Sequence, residues 1–180
     1  MNVIKTKIKD LIVIEPKIYG DERGFFYESY QSKRYKSIGI NKEFVQDNRS
    51  RSTYGVLRGL HFQKTRPQGK LVTVTSGEVF DVAVDLRPDS STFGEYESII
   101  LSAENKLQFY VPPGFAHGFC VLSKSADFQY KCTDFYNAND ESGIIWNDPE
   151  LNIEWPIDNP IISAKDNLLP KFNEIKKENI

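Results

Sequence analysis

Between Gly55 and Val72 the chain reads GVLRGLHFQKTRPQGKLV, which gathers Arg58, Lys64, Arg66 and Lys70 around His61 in a protein whose formal net charge is -2. An imidazole titrates near neutrality, so among fixed cations it suits proton transfer beside a bound anion or a developing negative charge. His61 and His117 are the only histidines. A divalent metal needs three or four ligands converging on one point, and a third nitrogen ligand is missing, so a metal centre is disfavoured. A lone histidine is more often a hydrogen-bonded structural residue. The company of Arg58, Arg66 and Lys70 is what sets His61 apart. A regular strand puts residues 58 and 60 on one face and 61 on the other unless a bulge intervenes.

The elements that must position these residues are strands. Apolar residues alternate with polar ones at period two far more often than they recur at helical spacing. LIVIEPKIY and GFFYESY read as two strands divided by the GDERG turn, with Gly20 and Gly24 supplying turn conformations. SKRYKSIGI predicts a short helix ending near Gly39. KLVTVTSGEVFDVAVDLR predicts a hairpin turning at Ser76-Gly77, with Val72 and Val74 on one strand and Val79 and Ala83 on its partner. YESIILS, LQFYVP, GFCVLS and ADFQYKCTDFY continue the series, and many short strands with regular turns imply a sandwich or barrel. Residues 1–180 read as one domain with a core over about 10–170. The tail from 171 to 180 reads as peripheral and carries no assigned role.

Composition narrows the classes further. With 23 basic and 25 acidic residues, no broad field points to nucleic acid or a membrane surface, so any anion must be met locally. The start, MNVIKTKIKDLIVIEP, lacks the long apolar run of a signal peptide or anchor, and the expected location is the cytoplasm. Cys120 and Cys132 lie in strand-like apolar stretches and suit reduced, buried thiols.

GVLRGLHFQ, together with DERGFFYE, VQDNRS, QGKLVTVTSGEVFDVAVDLR, VPPGFAHGF, YKCTDFY and WNDPELNIEWP, closely resembles the dTDP-4-dehydrorhamnose 3,5-epimerase family from about residue 10 to residue 170. The resemblance implies an all-β, cupin-type jelly-roll barrel with a few short peripheral helices. It also implies a homodimer and no metal or organic cofactor. The implied reaction inverts C3 and C5 of dTDP-4-dehydro-6-deoxy-D-glucose, the substrate partner, on the way to rhamnose and related deoxysugars.

Both carbons flank the C4 ketone, so removing either proton leaves an enolate with its charge on the C4 oxygen. A base, an oxyanion partner and an acid on the opposite face are the minimum set. By resemblance His61 is the base, Asp166 in SAKDN orients it, Lys70 meets the enolate oxygen and Tyr130 is the opposite acid. Arg23 and Arg58 match substrate-holding positions, where a guanidinium fork suits diphosphate oxygens. Glu28, Gln46, Asn48, His117, Glu141 and Lys165 match further binding positions, Tyr136 matches the side chain that stacks on thymine, and Phe26, in the same loop as Arg23, is expected to help wall the pocket. Lys64 and Arg66 read as solvated charges, Asp81 and Asp85 as strand-end or inter-strand residues, and Trp146 and Trp155 as packing. The rivals are an epimerase acting at C3 or C5 alone, a non-catalytic sugar-nucleotide binding module, and a metal-dependent cupin.

Overall fold

The computed structural model describes residues 1–176. Strands β1 (Asn2–Lys5) and β2 (Ile12–Glu15) lead into a separate hairpin of β3 (Tyr19–Asp21) and β4 (Gly24–Phe26), followed by helix α1 (Ser32–Ser37). Then come β5 (Gln46–Thr53), β6 (Leu57–Gln63), β7 (Lys70–Ser76), β8 (Glu78–Asp85) and β9 (Tyr96–Ser102). Strands β10 (Gln108–Val111), β11 (Phe115–Val121), β12 (Ser125–Cys132) and β13 (Glu141–Gly143) complete the β structure, and helix α2 (Phe172–Lys176) follows. A six-stranded sheet in the order β1-β2-β10-β7-β12-β5 faces a five-stranded sheet in the order β13-β6-β11-β8-β9. Two packed sheets are what the many short strands implied, and the arrangement is the jelly roll that the family resemblance implied.

Alternation puts Val72, Val74, Phe109, Val111 and Phe128 from one sheet against Val79, Ala83, Phe115 and Phe119 from the other. Phe119 and Phe128 stack across the gap with centroids 3.9 Å apart. Burying each such side chain stabilises the fold by about 1.5–3 kcal/mol. Cys120 and Cys132 are buried and unbridged.

Three sequence expectations change. The predicted β7–β8 hairpin is a corner between sheets: β7 pairs with β10 and β12, whereas β8 pairs with β11 and β9. Gly77 makes the crossing at φ +75, where an added Cβ would lie 2.1 Å from the Ser125 carbonyl oxygen. Val72 and Val79 therefore meet through the core. Two apolar runs joined by a glycine turn look the same whether the strands pair or pack face to face, so the pattern alone could not separate them. The run LIVIEPKIY is divided at Pro16 into β2 and β3, because proline cannot donate to a ladder. The tail read as peripheral begins in the core: Phe172 and Ile175 are buried with Leu60, Val82 and Leu86. Residues 177–180 lie outside the described residues.

Helix α1 ends beside Gly39 at φ +99, and the Gln31 side chain caps it by accepting from the Arg34 N–H at 2.7 Å. Trp155 donates from Nε1 to the Trp146 carbonyl at 2.8 Å and packs edge-on to Phe80, so both tryptophans are packing residues.

Candidate active site

A β-bulge settles the orientation that strand periodicity left open. His117 of β11 faces His61 of β6, yet Phe119, two residues on, faces Arg58, three residues back. The extra residue in β6 falls at Gly59–Leu60, so Arg58 and His61 both line one cleft, while Leu60 turns into the second core. Gly59 and Gly118 permit the approach. A Cβ on Gly59, which has φ +125, would come 2.5 Å from the Gly118 Cα.

The cleft, of 670 Å³, opens between the two sheets. Arg58, His61, His117 and Glu141 reach it from the five-stranded sheet, and Asn48, Lys70 and Tyr130 from the six-stranded sheet. Tyr136 comes from the loop after β12, and Lys165 and Asp166 from the returning C-terminal segment. Val56 bridges to Ile161 in parallel, and the Leu57 N–H donates to the Ile161 carbonyl at 3.0 Å, which brings that segment alongside β6.

His61 Nε2 lies 2.8 Å from Asp166 Oδ1, and the Gly59 N–H donates to Asp166 Oδ2 at 3.3 Å. One buried carboxylate thus orients the imidazole and ties down the bulge that aims it. Burial alone would raise the Asp166 pKa, but the hydrogen bond and charge of His61, the Gly59 N–H and the Ser163 hydroxyl hold it below the usual range. The side chain is ionised at neutral pH, so His61 donates from Nε2 and keeps Nδ1 as the nitrogen free to take a proton.

Lys70 is nearly buried, and desolvation pulls its pKa down against the charges of Cys132, Asp81 and Glu141. Burial pushes Tyr130 above its ordinary value, with Cys132 adding to the rise and the Asn48 hydrogen bond and Arg58 opposing it. The phenol is therefore protonated at neutral pH. At the mouth, Glu141 Oε2 accepts from the Tyr136 hydroxyl at 2.5 Å and from Lys165 Nζ at 2.6 Å. Arg58 donates from Nε to the Ser52 hydroxyl at 3.0 Å, which leaves its terminal nitrogens for a ligand.

Of the sequence-predicted residues, His61, Asp166, Lys70, Tyr130, Asn48, Arg58, His117, Tyr136, Glu141 and Lys165 come together here. Gln46 sits behind the rim, donating to Asn48 Oδ1 at 3.0 Å and accepting the Tyr136 N–H at 2.9 Å. Arg23, Phe26 and Glu28 do not join this cleft within the chain. Arg23 pairs with Asp21 on the hairpin, Phe26 is 69% exposed, and Glu28 pairs with Arg34 at 3.1 Å.

Sequence reasoning passed over Gln63, and it read Asp81 as a strand-end or inter-strand residue without assigning it to the site. Gln63 is buried and pins the Tyr136 loop, donating to the Arg66 carbonyl at 2.8 Å and accepting the Asn137 N–H at 2.7 Å. Asp81 is fully buried and accepts from His117 Nε2 at 2.8 Å. Its signal was a carboxylate inside the apolar run VFDVAV, although an inter-strand role accounted for it equally well. Asp85, by contrast, is the strand-end residue expected, holding Arg87, Ser90 and Thr92. Among the described residues no group of three or more His, Cys, Asp or Glu side chains is arranged to hold a metal ion.

The family model described as dTDP-4-dehydrorhamnose 3,5-epimerase matches residues 5–174. The dTDP-4-dehydrorhamnose 3,5-epimerase of Shigella flexneri is 58% identical over 168 residues, covering 92% of this chain and 93% of that protein. A crystal structure of the dTDP-6-deoxy-D-glucose-3,5-epimerase of Legionella pneumophila, in complex with dTDP-4-keto-L-rhamnose, superposes with a TM-score of 0.95 at 58% identity, covering 98% of this chain and 95% of that one. The dTDP-4-dehydrorhamnose 3,5-epimerase of Elizabethkingia anophelis superposes at 0.93 with 53% identity, covering 97% of each chain. Sheet order, the cleft between the sheets and near-full-length likeness lead to one assignment: the chain belongs to the dTDP-4-dehydrorhamnose 3,5-epimerase family.

Proposed function

We propose that the protein inverts C3 and C5 of dTDP-4-dehydro-6-deoxy-D-glucose, giving dTDP-4-dehydro-L-rhamnose without a cofactor. The observation that carries this reading is that His61 and Tyr130 approach one cleft from opposite sheets, with the buried Lys70 lining it as well. His61 Nδ1 takes the proton from the carbon beside the ketone, and the C–H electron pair moves into a C=C bond as the C4 carbonyl becomes an enolate. Asp166 stabilises the imidazolium that results, and the Lys70 ammonium stabilises the enolate oxygen. A fixed donor of that kind contributes about 3–4 kcal/mol in a dry site. The enolate then collapses to the ketone as Tyr130 delivers its proton to the opposite face, and solvent resets both groups.

Arg58 and Lys165 suit the diphosphate, and Tyr136, anchored through Glu141, suits the thymine face. Arg23 and Phe26 are supplied by the hairpin of a second protomer in a cytoplasmic homodimer, and Glu28 by the segment that follows it. That reading accounts for Phe25 and Phe26 standing 61% and 69% exposed on the hairpin, since a monomer in water gains nothing from exposing them together.

The test is proton NMR of the substrate with the protein in deuterated water, coupled to a reductase that traps the product. Deuterium at C3 and C5 with an L-rhamno product is expected. Exchange at one carbon would make it a mono-epimerase, and tight binding without exchange would leave a binding module.

A further inference from the structure

Asp81 lies in the middle of β8 with no side-chain exposure, and its two oxygens are unequal. Oδ1 accepts from His117 Nε2 at 2.8 Å, whereas Oδ2 is buried without a hydrogen-bond partner among the described residues. His117 is itself almost buried, lines the cleft as the cross-strand neighbour of His61 in the same sheet, and lies against the Phe128 ring at 6.1 Å and 28°. A carboxylate this deeply desolvated is costly unless cations compensate it. Two basic groups bear on it electrostatically, His117 from β11 and Lys70 from β7.

We propose that Asp81 is a positioning residue of the reaction: it fixes the His117 ring through Nε2, and its unpartnered oxygen supplies the negative charge that keeps the desolvated Lys70 ammonium protonated at the enolate position. A buried lysine near neutrality tends to shed its proton, and a neutral amine stabilises an enolate far less than an ammonium does. The groups that oppose this at Lys70 are Cys132 from β12, Asp81 from β8 and Glu141 from β13. The Cys132 thiol is raised by burial, which leaves it neutral near pH 7, and Glu141 is already shared between Tyr136 and Lys165. Asp81 is the carboxylate not committed to another lysine or arginine. Burial raises its own pKa, and His117 and Lys70 counter that rise, so Asp81 and Lys70 each favour the charged form of the other.

The importance of this charge rests on the enolisation reading, but its existence does not, and the test separates the two. Protein labelled with ¹³C at lysine Cε is titrated by NMR, with the Lys70 signal identified by its absence in Lys70→Met. In Asp81→Asn the Lys70 midpoint is expected to fall by about one unit or more. Solvent deuterium exchange into substrate should fall about tenfold near pH 8 and little near pH 6, because the alkaline limb of the profile moves down. An unmoved Lys70 midpoint overturns the proposal, as does a uniform loss of exchange at every pH. Should Asp81→Asn fail to fold, the Asp81 carboxyl ¹³C shift of the unmodified protein decides: an ionised carboxylate between about pH 6 and 8 supports the proposal, and a protonated one overturns it. A shifted lysine in a protein that performs no exchange at all would sink the epimerase reading while leaving the Asp81–Lys70 coupling in place.

Discussion

His61 and His117 face each other on neighbouring antiparallel strands, and each holds an aspartate through Nε2 at 2.8 Å. The pairs are not equivalent. Asp166 is satisfied by Gly59 as well as His61 and is held low, whereas Asp81 keeps a bare oxygen and is pushed up by burial. His61 is about one-third exposed and able to meet a substrate carbon, while His117 is almost enclosed. Environment thus divides two identical side chains into one open to a ligand, the proposed base, and one enclosed.

Replacing His61 by Asn removes the proposed base without changing the shape of the cleft greatly. Exchange at both carbons should drop by at least about 10²–10⁴-fold, the usual contribution of a positioned general base, with dTDP affinity nearly unchanged. Isothermal titration with dTDP beside the deuterium-exchange assay measures both. Substantial residual exchange would move the base elsewhere.

Tyr130→Phe leaves His61, Asp166 and Lys70 in place, so deprotonation survives and reprotonation from the opposite face does not. Exchange with retained configuration should persist while the inverted product falls. Loss of every form of exchange in a folded variant contradicts the acid role. NMR of the recovered sugar distinguishes the outcomes.

Asp85 offers a stability prediction. Burial would raise its carboxyl, but Arg87, Ser90 and Thr92 hold it at about 2, against 3.8 for the free group. Because the folded pKa is depressed, the ionised form stabilises the fold above the unfolded pKa, and that contribution is lost as pH falls through about 2. The shift corresponds to roughly 2 kcal/mol. Urea unfolding of Asp85→Asn should show about that deficit at neutral pH, shrinking toward the acid end. A deficit of equal size at both ends would mean that ionisation is not its source.

Gly118→Ala tests the bulge. The new Cβ would sit 2.7 Å from the Arg58 carbonyl oxygen and 3.1 Å from the Gly59 Cα, both backbone atoms. Overpacking of this kind costs about 1–3 kcal/mol, and here it also displaces His61 relative to Arg58. A lower melting temperature together with a fall in kcat is expected. A loss of stability with unchanged kcat would show that the bulge does not aim the base.

The second-protomer reading of Arg23 predicts complementation. Arg23→Ala should raise KM, and His61→Asn should abolish turnover. Mixed dimers of the two variants carry one site with its own His61 and the partner's Arg23, so co-expression should restore turnover at low substrate, with the unmodified KM, that neither variant shows alone. Without restoration, or with a monomer in light scattering, Arg23 acts within its own chain or not at all.

Period-two alternation sufficed for the strands, because a residue's face is a local property of the pleat. The likeness of a few short motifs picked out His61, Lys70, Tyr130 and Asp166. Tertiary structure decided what local period cannot encode. Gly77 turned an apparent hairpin into a corner because the Ser125 carbonyl lies against it. One extra residue at Gly59–Leu60 brought Arg58 and His61 to the same face. Asp166 reaches His61 across 105 positions only because residues 161–166 run back beside β6. The hairpin that carries Arg23 and Phe26 stands apart from the cleft: its two three-residue strands are exposed throughout and pair only with each other. Faces follow from neighbours in sequence, whereas a site follows from which faces the closed sandwich brings together.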